Sequence, residues 1–352
     1  MTEAVRLLIA GAGVIGRAHA LRVQAMAGCA LAGIADPSPA GAAFARELGV
    51  PHWNELDTAL DAAQPDGAIL ATPTPLHVQG ALACLAHGVA VLVEKPVAGT
   101  LEDAWVLVSA AERAGAPPVL VGHHRRHSAV LEVAREAIAS GVLGTLVAVQ
   151  GSALFHKPAA YFSEAPWRTQ RGGGPILTNM VHEVDNLRVL AGDIDEVQAF
   201  ASNTRRGFEV EDTVAISLRF ACGALGSFVL SDVAASTRSW EQTSGENEAY
   251  ARDTTEACYL VSGERGSLAV PTLRLQTVQG EPSWFEPMRV RTLAPAQADP
   301  LQRQLAHFCA VVRREVAPRV SARDATRTLQ ATLAITDAAA SGRAVRCDGN
   351  PS

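Results

Sequence analysis

Three glycines in the run Gly11-Ala12-Gly13-Val14-Ile15-Gly16 directly follow an apolar stretch, Val5–Ala10, and open a helical one. Each has a mechanical use where a dinucleotide binds. Gly11 permits a tight turn, Gly13 lets a pyrophosphate approach the backbone, and Gly16 lets helix and strand pack closely. Val14 and Ile15 begin the helix, whose N–H groups and positive dipole end receive phosphate. Asp36 closes the next apolar run, twenty residues after Gly16. A carboxylate there accepts hydrogen bonds from both ribose hydroxyls and repels a 2′-phosphate, so NAD is expected over NADP. The bland alternative, a plain βα turn and a solvated Asp before Pro37, leaves the joint spacing unexplained.

The elements that position these residues can be read from periodicity. Over the first 122 residues, unalternating apolar runs (Val5–Ala10, Ala30–Ala35, Ala68–Ala71, Val89–Val93, Val119–Val121) are separated by Ala-rich stretches with helical spacing. Such runs are strands of a parallel sheet covered on both faces, and the repetition predicts a doubly wound Rossmann-type fold. After Gly122 the pattern changes. Ser128–Ser140 reads as an amphipathic helix, and alternating segments follow at Thr145–Phe155, Val197–Asn203, Thr213–Phe220, Ala224–Ser231, Tyr259–Ser262 and Ser267–Gln276. Alternation predicts an open, mostly antiparallel sheet with one packed face. Asn179–Leu190 reads as a helix, as do Leu301–Arg314 and Ala322–Ala340; Thr243–Asp253 reads as a mobile loop. The expected division is therefore 1–122, a dinucleotide-binding domain, and 123–352, a substrate and oligomerisation domain, with the C-terminal helices free to pack back on the first.

Composition narrows the class of function. Thirty Lys+Arg against thirty-six Asp+Glu leave a net charge of −6, without the basic surplus of a nucleic-acid binder. No apolar run reaches the roughly 18–20 residues of a membrane span, and the N-terminus lacks the pattern of a signal peptide. Six cysteines without Cys-x-x-Cys spacing suit reduced thiols in a cytoplasm.

Further motifs carry a resemblance. Ala71-Thr72-Pro73-Thr74-Pro75-Leu76-His77 follows the third strand, Glu94-Lys95-Pro96 ends the next, and Arg171-Gly172-Gly173-Gly174 leads to a helix with His182-Glu183-Val184-Asp185. In this order the chain resembles, over essentially its whole length, the Gfo/Idh/MocA oxidoreductases. The resemblance implies a Rossmann domain, then an α/β domain on an open sheet, with nicotinamide in the cleft between them. It implies cofactor contacts from Thr72, Pro73, Pro75, His77, Glu94 and Lys95, besides the glycine turn and Asp36. It also implies that Lys95 meets the reacting hydroxyl and His182 acts as acid/base, and that copies assemble as homodimers or homotetramers through the exposed sheet face.

These roles agree with the chemistry of alcohol oxidation, which needs a base titrating near neutrality and a cation for the developing alkoxide. A histidine and a lysine at the carboxyl end of a parallel strand supply them. A cis Lys95–Pro96 bond is expected. Thr178, Asn179, Asp185 and Asn186 lie at i−4, i−3, i+3 and i+4 from His182, which on a regular helix forms one polar stripe. Inositol dehydrogenase-like relatives carry Asp where this chain has Thr178, and Asn179 is the candidate replacement. Arg126 belongs to a segment that approaches the site in the family. His156, Lys157, Trp167 and Arg168 stand where the family lines its pocket. Lys157, Arg168 and Arg171 can clamp a carboxylate or be rim charges, and Trp240 is a pocket wall or a core residue. His123, His124 and His127 bring no carboxylate with them, and no metal is expected. The expected reaction is hydride exchange between NAD and a secondary alcohol of a sugar, inositol, related polyol or hydroxy acid. The alternatives are a cis-dihydrodiol dehydrogenase acting on a carboxylated ring and a non-catalytic NAD(P)-sensing regulator.

Overall fold

The computed structural model describes residues 3–347. In chain order it opens with β1 (Val5–Ala10), α1 (Val14–Ala25), β2 (Cys29–Ala35), α2 (Pro39–Glu47), β3 (His52–Trp53) and α3 (Leu56–Ala63). Then come β4 (Gly67–Leu70), α4 (His77–Ala86), β5 (Ala90–Glu94), α5 (Leu101–Ala111) and β6 (Val119–Gly122). The middle holds α6 (Ala129–Ala139), β7 (Leu146–Leu154), α7 (Ala159–Ser163), α8 (Val181–Ala191), β8 (Ile194–Ser202), β9 (Thr213–Phe220) and β10 (Leu225–Ser231). The rest is α9 (Trp240–Thr243), β11 (Tyr259–Gly263), β12 (Gly266–Val270), β13 (Arg274–Thr277), β14 (Arg289–Thr292), α10 (Pro300–Val312), α11 (Ala322–Ser341) and β15 (Val345–Arg346).

The chain divides into two units, Met1–His127 with Pro300–Leu329, and Ser128–Asp299 with Gln330–Ser352. The first is built on a parallel sheet in the order β3-β2-β1-β4-β5-β6. Its strands β4, β5 and β6 are buried at every position, as the apolar runs predict. Strand order reverses between β1 and β4, and in open α/β sheets ligands bind beyond the carboxyl ends of the strands at such a switch point.

The second unit is built on a nine-stranded sheet, β14-β13-β12-β11-β7-β10-β9-β8-β15. Its β7–β10 pair is parallel and its other pairs are antiparallel. One face packs against Leu131 and Ala134 of α6, Val184 and Leu187 of α8, and Ala331, Ile335 and Ala338 of α11. Strict alternation along β9 buries Val214, Ile216, Leu218 and Phe220 on that face. The opposite face leaves Phe200, Leu225, Val229 and Leu260 exposed.

Three local features depart from the periodicity reading. Ser267–Gln276 is two antiparallel strands, β12 and β13, and not one. Pro271 lacks the N–H that a continuing ladder needs, and Leu273 turns the chain with φ of 54°. The helix containing His182 does not start in regular α geometry, because Ile176–Met180 forms a π turn before α8. The short strands β3, β14 and β15 add edges that their two to four residues do not advertise.

Candidate active site

In the first unit, four of the predicted segments end at one edge of the parallel sheet. Gly11–Gly16 follows β1, Asp36 follows β2, Thr72 follows β4 and Lys95 follows β5. The glycine turn is shaped by close approach: a Cβ on Gly16 would stand 1.9 Å from the Gly11 carbonyl oxygen. Gly13 differs, since its Cβ position meets nothing within 4 Å. It caps α1 without any side-chain hydrogen bond to the helix amides, and Val14 beside it is exposed. An open helix N-terminus with room at the capping residue fits a pyrophosphate. Beside it the Thr72 hydroxyl is buried without a hydrogen-bond partner among the described residues, an orphan that a cofactor hydroxyl or phosphate can satisfy.

The Asp36 carboxylate is oriented by three donors. The Ala12 amide reaches Oδ2 at 2.7 Å, the Ser38 amide reaches Oδ1 at 2.8 Å, and the Ser38 hydroxyl also donates to Oδ1. Burial pushes this carboxyl up, but the Ser38 and Ala12 hydrogen bonds, with His52 nearby, bring it below the ordinary aspartate range. Asp36 is therefore an anion at neutral pH, placed where a ribose is expected.

The Lys95 turn is braced from below. Glu94 is buried, its Oε1 lies 2.8 Å from His19 Nε2 of α1, and its Oε2 accepts the Lys95 amide at 3.3 Å. Burial raises the Glu94 carboxyl, while the His19 hydrogen bond, with the charges of His19, His124 and Lys95, carries it below the usual range. The Lys95–Pro96 peptide is cis. His77, buried at the start of α4, has its two ring nitrogens 2.9 Å from the carbonyl oxygens of Pro96 and of Thr72. Pro73 precedes a short 3₁₀ turn, Thr74–Leu76, that contains Pro75.

Arg126 pairs with Asp324 at 3.1 Å. His127 is buried near His307, Arg303 and Arg319; burial, then Arg319, His307 and Arg303, pushes its imidazole down to about 2, so it stays neutral. No group of three or more His, Cys, Asp or Glu is gathered for a metal among the described residues. A hollow of about 680 Å³ in this unit is lined by Val5, Asp66 and Val89, at the amino ends of the strands and away from the glycine turn.

In the second unit, a cavity of about 570 Å³ is lined by His156, Lys157, Tyr161, Asn179, Glu241 and Gln242, among others. Lys157 is buried, and its ammonium donates to Asn179 Oδ1 at 2.7 Å and lies 3.5 Å from Asp232 Oδ2. Asp232 is shared with Arg206, whose Nε donates to Oδ1 at 2.7 Å. Burial pushes the Lys157 amine down more than Asp232 pulls it up, and the Arg206 and Arg168 charges push the same way. Thr178 shares its hydroxyl proton between the Gly174 carbonyl and Asn179 Oδ1, each at 3.0 Å. The π turn thus has an evident support. The Ile176 amide donates to Glu211 Oε1 at 2.8 Å, in space that a side chain on Gly174 would fill.

His182 and Asp185 are buried on α8, but the polar stripe expected around His182 is split. Asn186 turns to the core and donates to the Tyr259 hydroxyl at 2.9 Å, which in turn donates to Glu183. A helix with a π turn at its start cannot keep Thr178 and Asn179 in α register with Asp185 and Asn186. Arg168 lies over the Tyr161 ring at 3.8 Å and donates to the Tyr161 carbonyl at 2.6 Å. Arg171 and Trp167 are exposed, and Trp240 is packed in the core near Tyr259. Asp232, Arg206, Tyr161 and Glu241 were not singled out by sequence reasoning; the one available signal was an acid, Asp232, closing an apolar strand.

Two family descriptions match the chain. "Oxidoreductase family, NAD-binding Rossmann fold" covers residues 5–123, and "GFO/IDH/MocA C-terminal domain" covers residues 131–269. The chain belongs to the Gfo/Idh/MocA oxidoreductase family. It is 30% identical to a 1,5-anhydro-D-fructose reductase of Ensifer adhaerens, over 96% of this chain and 97% of that protein. It is 28% identical to a scyllo-inositol 2-dehydrogenase (NAD(+)) of Bacillus subtilis, over 99% and 98% of the two chains. An oxidoreductase of Agrobacterium radiobacter, solved with NAD+, L-tartaric acid and magnesium, shares the fold: TM-score 0.81 at 18% identity, over 97% of this chain and 98% of that one. This oxidoreductase therefore has an NAD-binding Rossmann domain followed by the family's mixed, mostly antiparallel sheet. No helix among its described residues is long and apolar enough to cross a membrane.

Proposed function

We propose that this oxidoreductase uses NAD(H) to interconvert a secondary alcohol of a sugar, inositol or related polyol with the corresponding ketone. What supports this most is the convergence of the open glycine turn, the Asp36 anion, the orphaned Thr72 hydroxyl and Lys95 at one sheet edge. The names of its full-length relatives, an anhydrofructose reductase and an inositol dehydrogenase, agree with a polyol substrate. Asp36 favours NAD over NADP, since its charge opposes a 2′-phosphate.

In the proposed reaction, His182 removes the hydroxyl proton and the Lys95 ammonium stabilises the alkoxide that develops. When bound, the nicotinamide supplies the hydride acceptor. The amides at the start of α1 hold the pyrophosphate, Asp36 orients a ribose, and Glu94 with His77 fixes the turn from which Lys95 projects. In the reverse direction His182 returns the proton. The exposed apolar residues Phe200, Leu225, Val229 and Leu260 suit burial against a second copy, giving a homodimer or homotetramer. Six cysteines without Cys-x-x-Cys spacing suit a reducing cytoplasm.

The test is turnover with NAD+ against inositols, alditols, aldoses and sugar acids, followed at 340 nm. His182→Ala should lower kcat by about 10²–10⁴-fold while leaving NAD+ affinity unchanged. Retention of most of the wild-type kcat would remove His182 from the acid/base role, and a preference for NADP+ would overturn the argument from Asp36.

A further inference from the structure

Within the 570 Å³ cavity of the second unit, Lys157 and Asn179 form a pair that can only donate. An ammonium has three N–H groups and no acceptor, so the oxygen of Asn179, and not its nitrogen, faces Lys157 at 2.7 Å. That fixes the amide. Its Nδ2 donor has no partner among the described residues, and it belongs to a side chain that lines the cavity. Lys157 spends two donors on Asn179 and Asp232 and keeps a third. The single Asp232 carboxylate is divided between the Lys157 ammonium at 3.5 Å and the Arg206 guanidinium at 2.7 Å. At Thr178, where a carboxylate would supply acceptors, the hydroxyl proton is already turned to Gly174 and Asn179.

We infer that Lys157 and Asn179 recognise a carboxylate on the substrate, so that the preferred substrate class is a polyhydroxy acid and not a neutral polyol. This rests on the dehydrogenase reading above and narrows it. A carboxylate offers lone pairs to both donors at once and meets the Lys157 ammonium with an opposite charge, whereas a hydroxyl must also place its own proton elsewhere. The hydroxylated remainder of the ligand follows from the dehydrogenase reading; Glu241 and Gln242 line the same cavity.

The experiment compares matched probes, sodium D-gluconate with D-glucitol and sodium D-galactonate with D-galactitol. NAD+-dependent KM is measured for each, together with calorimetric binding of gluconate. The acids should show a KM at least about tenfold below their polyols, the scale of one charge-assisted hydrogen bond. Asn179→Asp, which keeps the shape but replaces the donor by an acceptor, should raise the acid KM by at least about tenfold and remove the preference for acid over polyol. Lys157→Met should remove the preference as well, and thermal unfolding of both variants separates a recognition effect from a folding defect. Turnover of polyols with no preference for the acids, or a ratio unmoved by Asn179→Asp in a folded protein, overturns the inference and leaves the dehydrogenase reading standing. Gluconate binding that Asn179→Asp abolishes, without turnover of any probe, supports the inference and overturns that reading. Neither binding nor turnover of the acids overturns the inference.

Discussion

Gly13→Ala separates cofactor binding from folding more cleanly than any other change in the glycine turn. Gly13 has φ of −71° and ψ of −170°, a conformation alanine adopts without strain, and its Cβ would meet no atom of the chain within 4 Å. The unfolded chain loses freedom, worth about 0.4–1 kcal/mol, while alanine is a poorer N-cap of α1 than glycine by a similar amount. The two offset, so the variant should stay within about 1 kcal/mol of the wild type in stability without NAD. The space that the methyl enters is, on the proposed reading, the space of the pyrophosphate. Moving the phosphate off the α1 amides forfeits at least one charge-assisted hydrogen bond, about 1.5–3 kcal/mol, or roughly 10- to 150-fold in Kd. Fluorescence titration with NADH measures the second effect and calorimetric unfolding the first. Gly16→Ala supplies the contrast: with its Cβ 1.9 Å from the Gly11 oxygen it should lose stability and affinity together. If Gly13→Ala binds NADH as tightly as the wild type, the pyrophosphate does not lie at this turn.

Asp36→Ser should shift the ratio of kcat/KM for NADP+ over NAD+ upward by about 10- to 100-fold, because it removes a like charge facing the 2′-phosphate; an unchanged ratio places the adenosine ribose elsewhere. Glu94→Gln should destabilise the protein at pH 7 by about 1.5–3 kcal/mol, the value of a hydrogen bond to a charged group. Because the folded Glu94 carboxyl is depressed, its contribution is present above the ordinary carboxyl range and is lost as pH falls through its lowered value. The gap in Tm between wild type and Glu94→Gln should therefore close in acid; a gap constant from pH 7 down to pH 3 would refute this. Tyr259→Phe removes the hydroxyl set between Asn186 and Glu183 and should cost about 1–3 kcal/mol, roughly 2–4 °C in Tm for each kcal/mol. Its kcat for the folded fraction should stay at the wild-type level, and a large loss would mean that this core network also serves His182.

What could be read from the sequence was whatever depends on neighbours along the chain. The glycine turn and Asp36 are twenty-odd residues apart within one strand–helix–strand unit, and Glu94-Lys95-Pro96 is contiguous. Alternation along β9 gave its buried face residue by residue, because a strand's side chains have no choice but to alternate. The cavity of the second unit was not legible in that way. Lys157, Asn179, Arg206 and Asp232 come from four separate segments, and nothing local to any one of them specifies that a single carboxylate will serve two cations. The π turn at Ile176–Met180 was hidden for the same reason. It is braced by Glu211, some thirty-five residues onward, which accepts the Ile176 amide.

The polar contacts at the carboxyl edge of the parallel sheet are not independent ornaments of four loops. Ala12 in the glycine turn holds Asp36 of the second strand's end. His19, one turn into the same helix, holds Glu94, which holds the Lys95 amide. His77 lies between the carbonyls of Thr72 and Pro96, joining the loop after β4 to the turn after β5. The proposed contacts to the cofactor are thereby tied to the residue proposed to meet the substrate through a short series of buried and part-buried polar contacts. Buried polar groups are costly unless paired, so a fold that places three such bridges at one edge gains rigidity there. Hydride transfer demands that rigidity, since misplacing a reacting group by about 1 Å can cost a hundredfold in rate. On this argument Glu94, His19 and His77 belong to the catalytic apparatus as positioning residues, although none of them need touch a reacting atom.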